Sequence, residues 1–272
     1  MHLYPAIWRC IFALWLAGAA FSAVADGSRM PVADNSRPAI ALIIDDMGNQ
    51  RGQGQRVIDL PGPVACAFLP YAAFTDTLAR QAHMNDKEVM LHLPMQAVEQ
   101  TDGTHQEGML TLDMTRQEFL TEFRRAIGTV PHVSGLNNHM GSLLTRHPGS
   151  MAWLMQAIGS YGDLFFVDSR TTTATVAQQL AAEHGIPNMA RKVFLDNVAE
   201  IDAVRAQFRE LLANARRDGT ALGIGHPYPA TLQVLVEELA YLDEQDIQLL
   251  PVARLIKMQA QRRLTWQASL SR

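Results

Sequence analysis

The chain has 272 residues, 48% of them hydrophobic and 18% charged, which is ample for one large core and fits a single α/β barrel. A formal net charge of −4 excludes the basic footprint of a nucleic-acid binder. The only cysteines are Cys10 and Cys66, and Cys10 lies in an N-terminal leader, so the mature chain can form neither an intramolecular disulfide nor a multi-cysteine zinc site. Any metal is expected on histidines and carboxylates.

Residues 1–25 read as a signal peptide. Arg9 supplies the positive region, residues 10–21 are apolar, and Ala23-Val24-Ala25 fits the small-residue cleavage pattern. The apolar run is short for a span of about 20 residues. The expectation is therefore a cleaved leader, a periplasmic mature protein and no stable transmembrane span after cleavage. Residues 26–37, rich in Ser, Asn, Asp and Pro, read as a linker.

From residue 38 to 255, apolar runs alternate with segments of helical spacing. Strands are predicted at 39–44, 64–69, 88–92, 133–136, 164–167, 192–195, 221–224 and 248–252. Helices are predicted at 74–84, 116–127, 151–160, 176–184, 201–217 and 231–242. Such alternation implies a parallel sheet with helices outside it. Seven or eight strands suggest closure into a barrel, an open doubly wound sheet being the alternative. No dinucleotide fingerprint follows the first strand, and there is no P-loop. Residues 256–272 form a basic C-terminal tail, read as a terminal helix or a frayed end.

The first strand organises the rest. Ile40-Ala41-Leu42-Ile43-Ile44 has the character of a buried parallel strand and ends abruptly in Asp45-Asp46. Two acids are too costly to carry through a core, so they belong at the strand's C-terminal mouth, where α/β folds bind ligands. A turn or helix cap needs only one Asp; two suggest a metal ligand beside a general base. Four other strand candidates end in residues that bind metals or move protons. These ends carry His92, then Asn137-Asn138-His139, then Asp168-Ser169-Arg170, then His226. Each has an ordinary explanation, such as a hydrogen-bonded ring, a turn or a cap. Five at one topological level point to a shared mouth.

Five stretches, Ile43-Ile44-Asp45-Asp46-Met47-Gly48, Leu91-His92-Leu93-Pro94-Met95, Asn137-Asn138-His139-Met140-Gly141-Ser142, Phe166-Val167-Asp168-Ser169-Arg170 and Gly225-His226-Pro227, resemble the divergent polysaccharide deacetylase family. The resemblance covers residue 38 to about residue 255. It implies a NodB-like deformed (β/α) barrel with seven or eight parallel strands. In ordinary members of the superfamily an Asp-Asp pair supplies a base and then a metal ligand, and two histidines four residues apart complete the site. On that pattern Asp45 matches the base, Asp46 and His92 match ligands, and His226 matches the general acid. The position four after His92 is Gln96, a poor zinc ligand. His139 is the available replacement, giving a divalent metal, zinc in the first instance, on Asp46, His92 and His139. The Arg-Pro-Pro-Tyr segment of the superfamily is replaced by Asn137-Asn138-His139-Met140. Asn137, Asn138, Asp168 and Arg170 are expected to meet the substrate. The implied function is an exported metal-dependent hydrolase that removes acetyl groups from an acetylated envelope glycan. The alternative is a non-catalytic envelope protein that binds a glycan or a partner on a degenerate deacetylase barrel. A metal-dependent phosphoesterase is a third reading, for which Arg170 and Arg191 are the obvious basic residues at the mouth.

Overall fold

The computed structural model describes residues 37–100 and 106–270. The predicted signal peptide and nearly all of the linker lie outside the described residues.

The chain runs β1 (Ala39–Met47), α1 (Arg51–Ile58), β2 (Ala65–Phe68), α2 (Thr75–Met84), β3 (Val89–Met95), α3 (Arg116–Gly128), β4 (Val133–Met140) and α4 (Pro148–Gly159). It continues through β5 (Phe165–Asp168), α5 (Ala177–Glu183), β6 (Asn188–Ala190), β7 (Val193–Phe194), α6 (Ile201–Asp218), β8 (Thr220–Gly225), α7 (Pro229–Leu239), β9 (Gln248–Leu249) and α8 (Val252–Leu270). Hydrogen bonding follows the order β6-β5-β4-β3-β2-β1-β8-β7, with every ladder parallel. β9 pairs with the first two residues of β1. Segment 188–194 pairs with β5 through its first half and with β8 through its second, so the curled sheet breaks at Arg191-Lys192.

Both faces of this sheet are apolar because both are covered. Ile40, Leu42 and Ile44 of β1 pack into the outer layer beneath the helices, with Phe119, Phe123 and Phe208. Ala39, Ala41 and Ile43 alternate with them and face the concave interior beside Ala65, Ala67 and Met90. The first turns of α8 close that interior through Val252, Leu255, Ile256 and Met258. α8 crosses residue 255 without a break. Cys66 is fully buried in the outer layer, and burial pushes its thiol up to about 12.

Gly135 fits β4 against β5. A Cβ built there would lie 2.3 Å from a ring carbon of Phe165, which is itself buried. Gly135→Ala is therefore expected to destabilise the fold by about 1–3 kcal/mol through overpacking. An unchanged urea midpoint would show that the ring moves aside freely.

Two elements differ from the sequence reading. Helix α1 follows the mouth of β1, yet its sequence Arg-Gly-Gln-Gly-Gln-Arg carries few apolar residues. It forms because Gly54 lets it approach Leu78 of α2, and because Val57 and Ile58 anchor its last turn. β6 is only three residues long and precedes the sheet's break, so its pattern is too short to register.

Candidate active site

The strand mouths gather on the C-terminal side of the sheet. Strict alternation would point Asp45 into the concave interior, in line with Ala41 and Ile43, and Asp46 the other way. The ladder corrects this. Between Ile44 and Met47, β1 advances three residues while β2 advances two, from Cys66 to Phe68. The extra residue is a bulge, the device by which strands re-aim a side chain beside a site. Asp46 takes a left-handed backbone within it (φ 56°). Met140 and Arg170, at the mouths of β4 and β5, are also left-handed, at φ 52° and 50°. Such residues cost roughly 1–3 kcal/mol each, and they concentrate where geometry serves a site.

The bulge brings both acids to His92, and Asp46 to His139 as well. Asp46 Oδ1 lies 3.4 Å from His92 Nε2 and 3.1 Å from His139 Nδ1, and the two ring nitrogens are 3.0 Å apart. Three ligands bonded at about 2.1 Å in a tetrahedral zinc site are themselves separated by about 3.4 Å. Asp46 Oδ1 is buried and has no hydrogen-bond donor directed at it. The His139 and His92 ring nitrogens meet each other in a hydrogen bond while neither is aimed as a donor at Asp46 Oδ1, which leaves that oxygen free for a cation. Among the described residues, these three make the one cluster of His, Cys, Asp or Glu with metal-site spacing. Burial works against the charged form of Asp46, but His139 and His92 outweigh it and hold the carboxyl far below its usual range.

Asn137 sets the chemistry of the cluster from below. Its Oδ1 lies 2.9 Å from His92 Nδ1, and its Nδ2 donates to Asp45 Oδ1 at 2.7 Å and to Ser169 Oγ at 3.3 Å. With Oδ1 as acceptor, His92 carries its proton on Nδ1 and leaves the Nε2 lone pair facing Asp46 and His139. This is the usual outer support of a metal-ligating histidine. Asp45 is buried, and desolvation raises its pKa although His92 and Asn137 oppose the rise.

His226 approaches from β8. Its Nε2 is 3.8 Å from Asp46 Oδ2, while Nδ1 meets Asp196 Oδ1 at 3.0 Å. Asp196 follows β7 and is buried. Its Oδ2 accepts from the His226 backbone N–H at 2.6 Å and from Thr231 Oγ1 at 2.7 Å. This Asp–His pair fixes the tautomer that turns Nε2 toward the acids. Burial alone would lower the His226 pKa. The Asp196 hydrogen bond and charge, joined by Asp45 and Asp46, raise it above the ordinary value.

The remaining sequence-predicted residues sit around this cluster. Asn137 and Asn138 are buried, with Asn138 accepting from Ser169 N–H and donating to the Met140 carbonyl. Asp168 is buried too, accepting from Arg170 N–H, Thr175 Oγ1 and Gln178 N–H. Arg170 is exposed at the rim. Gln96 lies outside the cluster and accepts from Leu112 N–H at 2.9 Å, bracing a loop. Asp45, His92, His139, Arg170 and His226 line one cleft of about 420 Å³, together with Arg191 and Phe194. A narrower groove of about 190 Å³ continues past Asp46 and His226 along Asn49, Gln53 and Tyr228. Asp196 was absent from the sequence-predicted site, and Arg191 entered it only under the phosphoesterase reading. The signal that could have found Asp196 is one more acid at one more strand end.

The model of the family described as divergent polysaccharide deacetylase matches residues 42–256. The chain belongs to that family. Two relatives agree in extent. The uncharacterised protein YibQ of Escherichia coli strain K12 is 35% identical over 217 residues, covering 80% of this chain and 67% of its own. An uncharacterised Haemophilus influenzae protein is 34% identical over 216 residues, covering 79% of this chain and 76% of its own. Among solved structures, the uncharacterised protein ATU2773 of Agrobacterium tumefaciens C58 superposes with a TM-score of 0.77 at 18% identity, covering 80% of this chain and 89% of that one. Peptidoglycan deacetylase PdaC of Bacillus subtilis gives a TM-score of 0.55 at 12% identity, covering 88% and 99%. At these identities the two structures bear on fold alone. The fold is the NodB-like deformed (β/α) barrel expected of this family.

Proposed function

We propose that this divergent polysaccharide deacetylase is an exported, metal-dependent hydrolase that removes acetyl groups from a cell-envelope polysaccharide. The observation that carries the reading is the placement of Asp45 and an Asp196-backed His226 beside the Asp46–His92–His139 cluster. A glycan binder has no use for a base and an acid flanking a cation site.

Asp46, His92 and His139 would hold the cation, and their one-oxygen, two-nitrogen set suits zinc. When bound, the ion supplies Lewis-acid polarisation of the acetyl carbonyl and a lowered pKa for water. Asp45 accepts the proton of the attacking water, and its raised pKa makes it the stronger base. Asn137 holds Asp45 and His92 in register. His226 Nε2 delivers a proton to the leaving nitrogen or oxygen as the acyl bond breaks, releasing acetate and a free amine or hydroxyl. Asp196 keeps that ring turned and raises its pKa, which favours the protonated form. The cleft and the smaller groove along Asn49 and Gln53 share His226 and offer room for a chain beside the acids.

Mass spectrometry of an acetylated glycan after incubation tests the reaction. Loss of acetyl groups at constant chain length is expected; shortened chains or unchanged glycan would refute it. Calorimetric titration tests the cation site, with one zinc ion per chain expected. His139→Ala should weaken that binding by more than about 100-fold, because loss of a direct ligand should exceed the 10–100-fold typical of outer-shell changes. Unaltered affinity in His139→Ala would remove His139 from the set.

The leader motif in residues 1–25 supports export to the periplasm. The mature N-terminus should be Asp26; intact residues 1–25 on the exported protein would indicate an anchor instead. No helix among the described residues is long and apolar enough to cross a membrane.

A further inference from the structure

The cleft carries two arginines that the proposed chemistry does not use. Arg191 lies at the break between β6 and β7. Its Nε donates to the Ser169 carbonyl at 2.6 Å and one terminal nitrogen donates to the Arg170 carbonyl at 2.9 Å. Its guanidinium sits 4.8 Å from the Phe194 ring centroid, and that ring meets His226 edge-on at 5.4 Å. Arg191 is thus fixed beside the acid while its other terminal nitrogen makes no hydrogen bond to a described residue. Arg170, whose left-handed backbone Arg191 braces, extends exposed on the same wall.

Neither guanidinium forms an ion pair with a carboxylate among the described residues. The nearby acids are engaged elsewhere. Asp45 and Asp46 face His92, His139 and His226. Both oxygens of Asp168 are occupied by N–H and O–H donors. Asp196 is taken by His226 and Thr231. Two adjacent guanidiniums repel each other, and Asp45 and Asp168 offset this for Arg191 only through space, so a pair with no carboxylate bonded to it suits an anion that comes from outside. The planar fork of arginine matches a carboxylate with paired hydrogen bonds.

We propose that Arg170 and Arg191 form an anion-recognition wall, and that the glycan taken by this cleft carries an acidic group close to the acetyl group that is removed. This rests on the deacetylase reading only in placing a glycan in the cleft. The preference should be about tenfold, the equivalent of 1.4 kcal/mol, because Arg170 is solvated and its charge is screened.

The test uses the full chain and one tetrasaccharide in two forms. The acidic form alternates N-acetylglucosamine with N-acetylmuramic acid and lacks peptide; the neutral form has the same carboxylates reduced to alcohols. Acetate release is measured with zinc-loaded protein, and binding is measured by calorimetry on chelator-treated protein. The acidic form should be favoured about tenfold in both readouts, less so at high salt. Arg170→Gln, at an exposed position, should bring the ratio close to one, and Arg170→Lys, which keeps the charge but not the fork, should restore only part of it. A wild-type ratio near one overturns the proposal. So does an Arg170→Gln variant that slows both forms equally, which would mark a role at the reacting carbonyl or in structure. Acetate release without charge preference defeats this inference and leaves the deacetylase reading intact. Charge-selective, Arg170-dependent binding with no acetate release supports the anion wall and defeats the deacetylase reading.

Discussion

Asp45→Asn is expected to lower acetate release by roughly 10²–10⁴-fold, the usual cost of losing a general base. The shape of the site should survive, because the amide oxygen can still accept from Asn137 Nδ2, which stands 2.7 Å from Asp45 Oδ1. Zinc affinity should stay within about tenfold of wild type, since Asp45 reaches the cluster only through Asn137 and His92. Asp46→Asn should behave differently, losing metal and activity together. The comparison separates the two adjacent carboxylates by role. If Asp45→Asn is as fast as wild type, the base is another group; if it also empties the metal site, Asp45 belongs to the ligand set.

Asp196→Asn is expected to reduce acetate release on the order of 10²-fold, as suits loss of the group that orients a catalytic imidazole. The pH profile distinguishes this from general damage. His226 acts in its protonated form, so activity falls as pH rises through its pKa. Asp196 raises that pKa, against the opposing effect of burial and of any bound cation. Removing its charge must therefore shift the alkaline limb of the rate profile to lower pH. An amide cannot accept from all three groups that the carboxylate meets, His226 N–H and Thr231 Oγ1 on one oxygen and His226 Nδ1 on the other, so the substitution should also cost about 1–3 kcal/mol of stability. Thr231→Val removes one of those donors without touching the carboxylate charge. It should lower stability while leaving the alkaline limb in place. An unmoved limb in Asp196→Asn would reduce Asp196 to a structural group.

Much of the fold was legible because a parallel strand buried on both faces must be apolar throughout, as in Ile40–Ile44, and because long amphipathic helices such as α3 and α6 repeat their apolar faces. The strand mouths then ranked Asp45, Asp46, His92, His139 and His226 together without any distance. Three features stayed hidden. A bulge is a property of two strands, so the sequence could show Asp45 beside Asp46 but not that the second carboxylate is turned back toward His92. Asp196 follows a strand of two residues, and its partner lies 30 positions on. The polar residues at the mouth divide in a way that composition cannot show: Asn137 and Asp168 are buried with protein partners and away from the cleft, Asn138 is buried but touches its wall, and Arg170 stands exposed in it.

The most direct measurement is acetate release from peptide-free peptidoglycan glycan by the zinc-loaded wild-type chain, repeated after chelation and again after zinc is restored. Release that vanishes with the metal and returns with it is the expected result. A zinc-loaded chain that binds the glycan, with Asp45 and His226 intact, yet frees no acetate from any acetylated envelope glycan would contradict it. That outcome would leave the barrel as a binding protein.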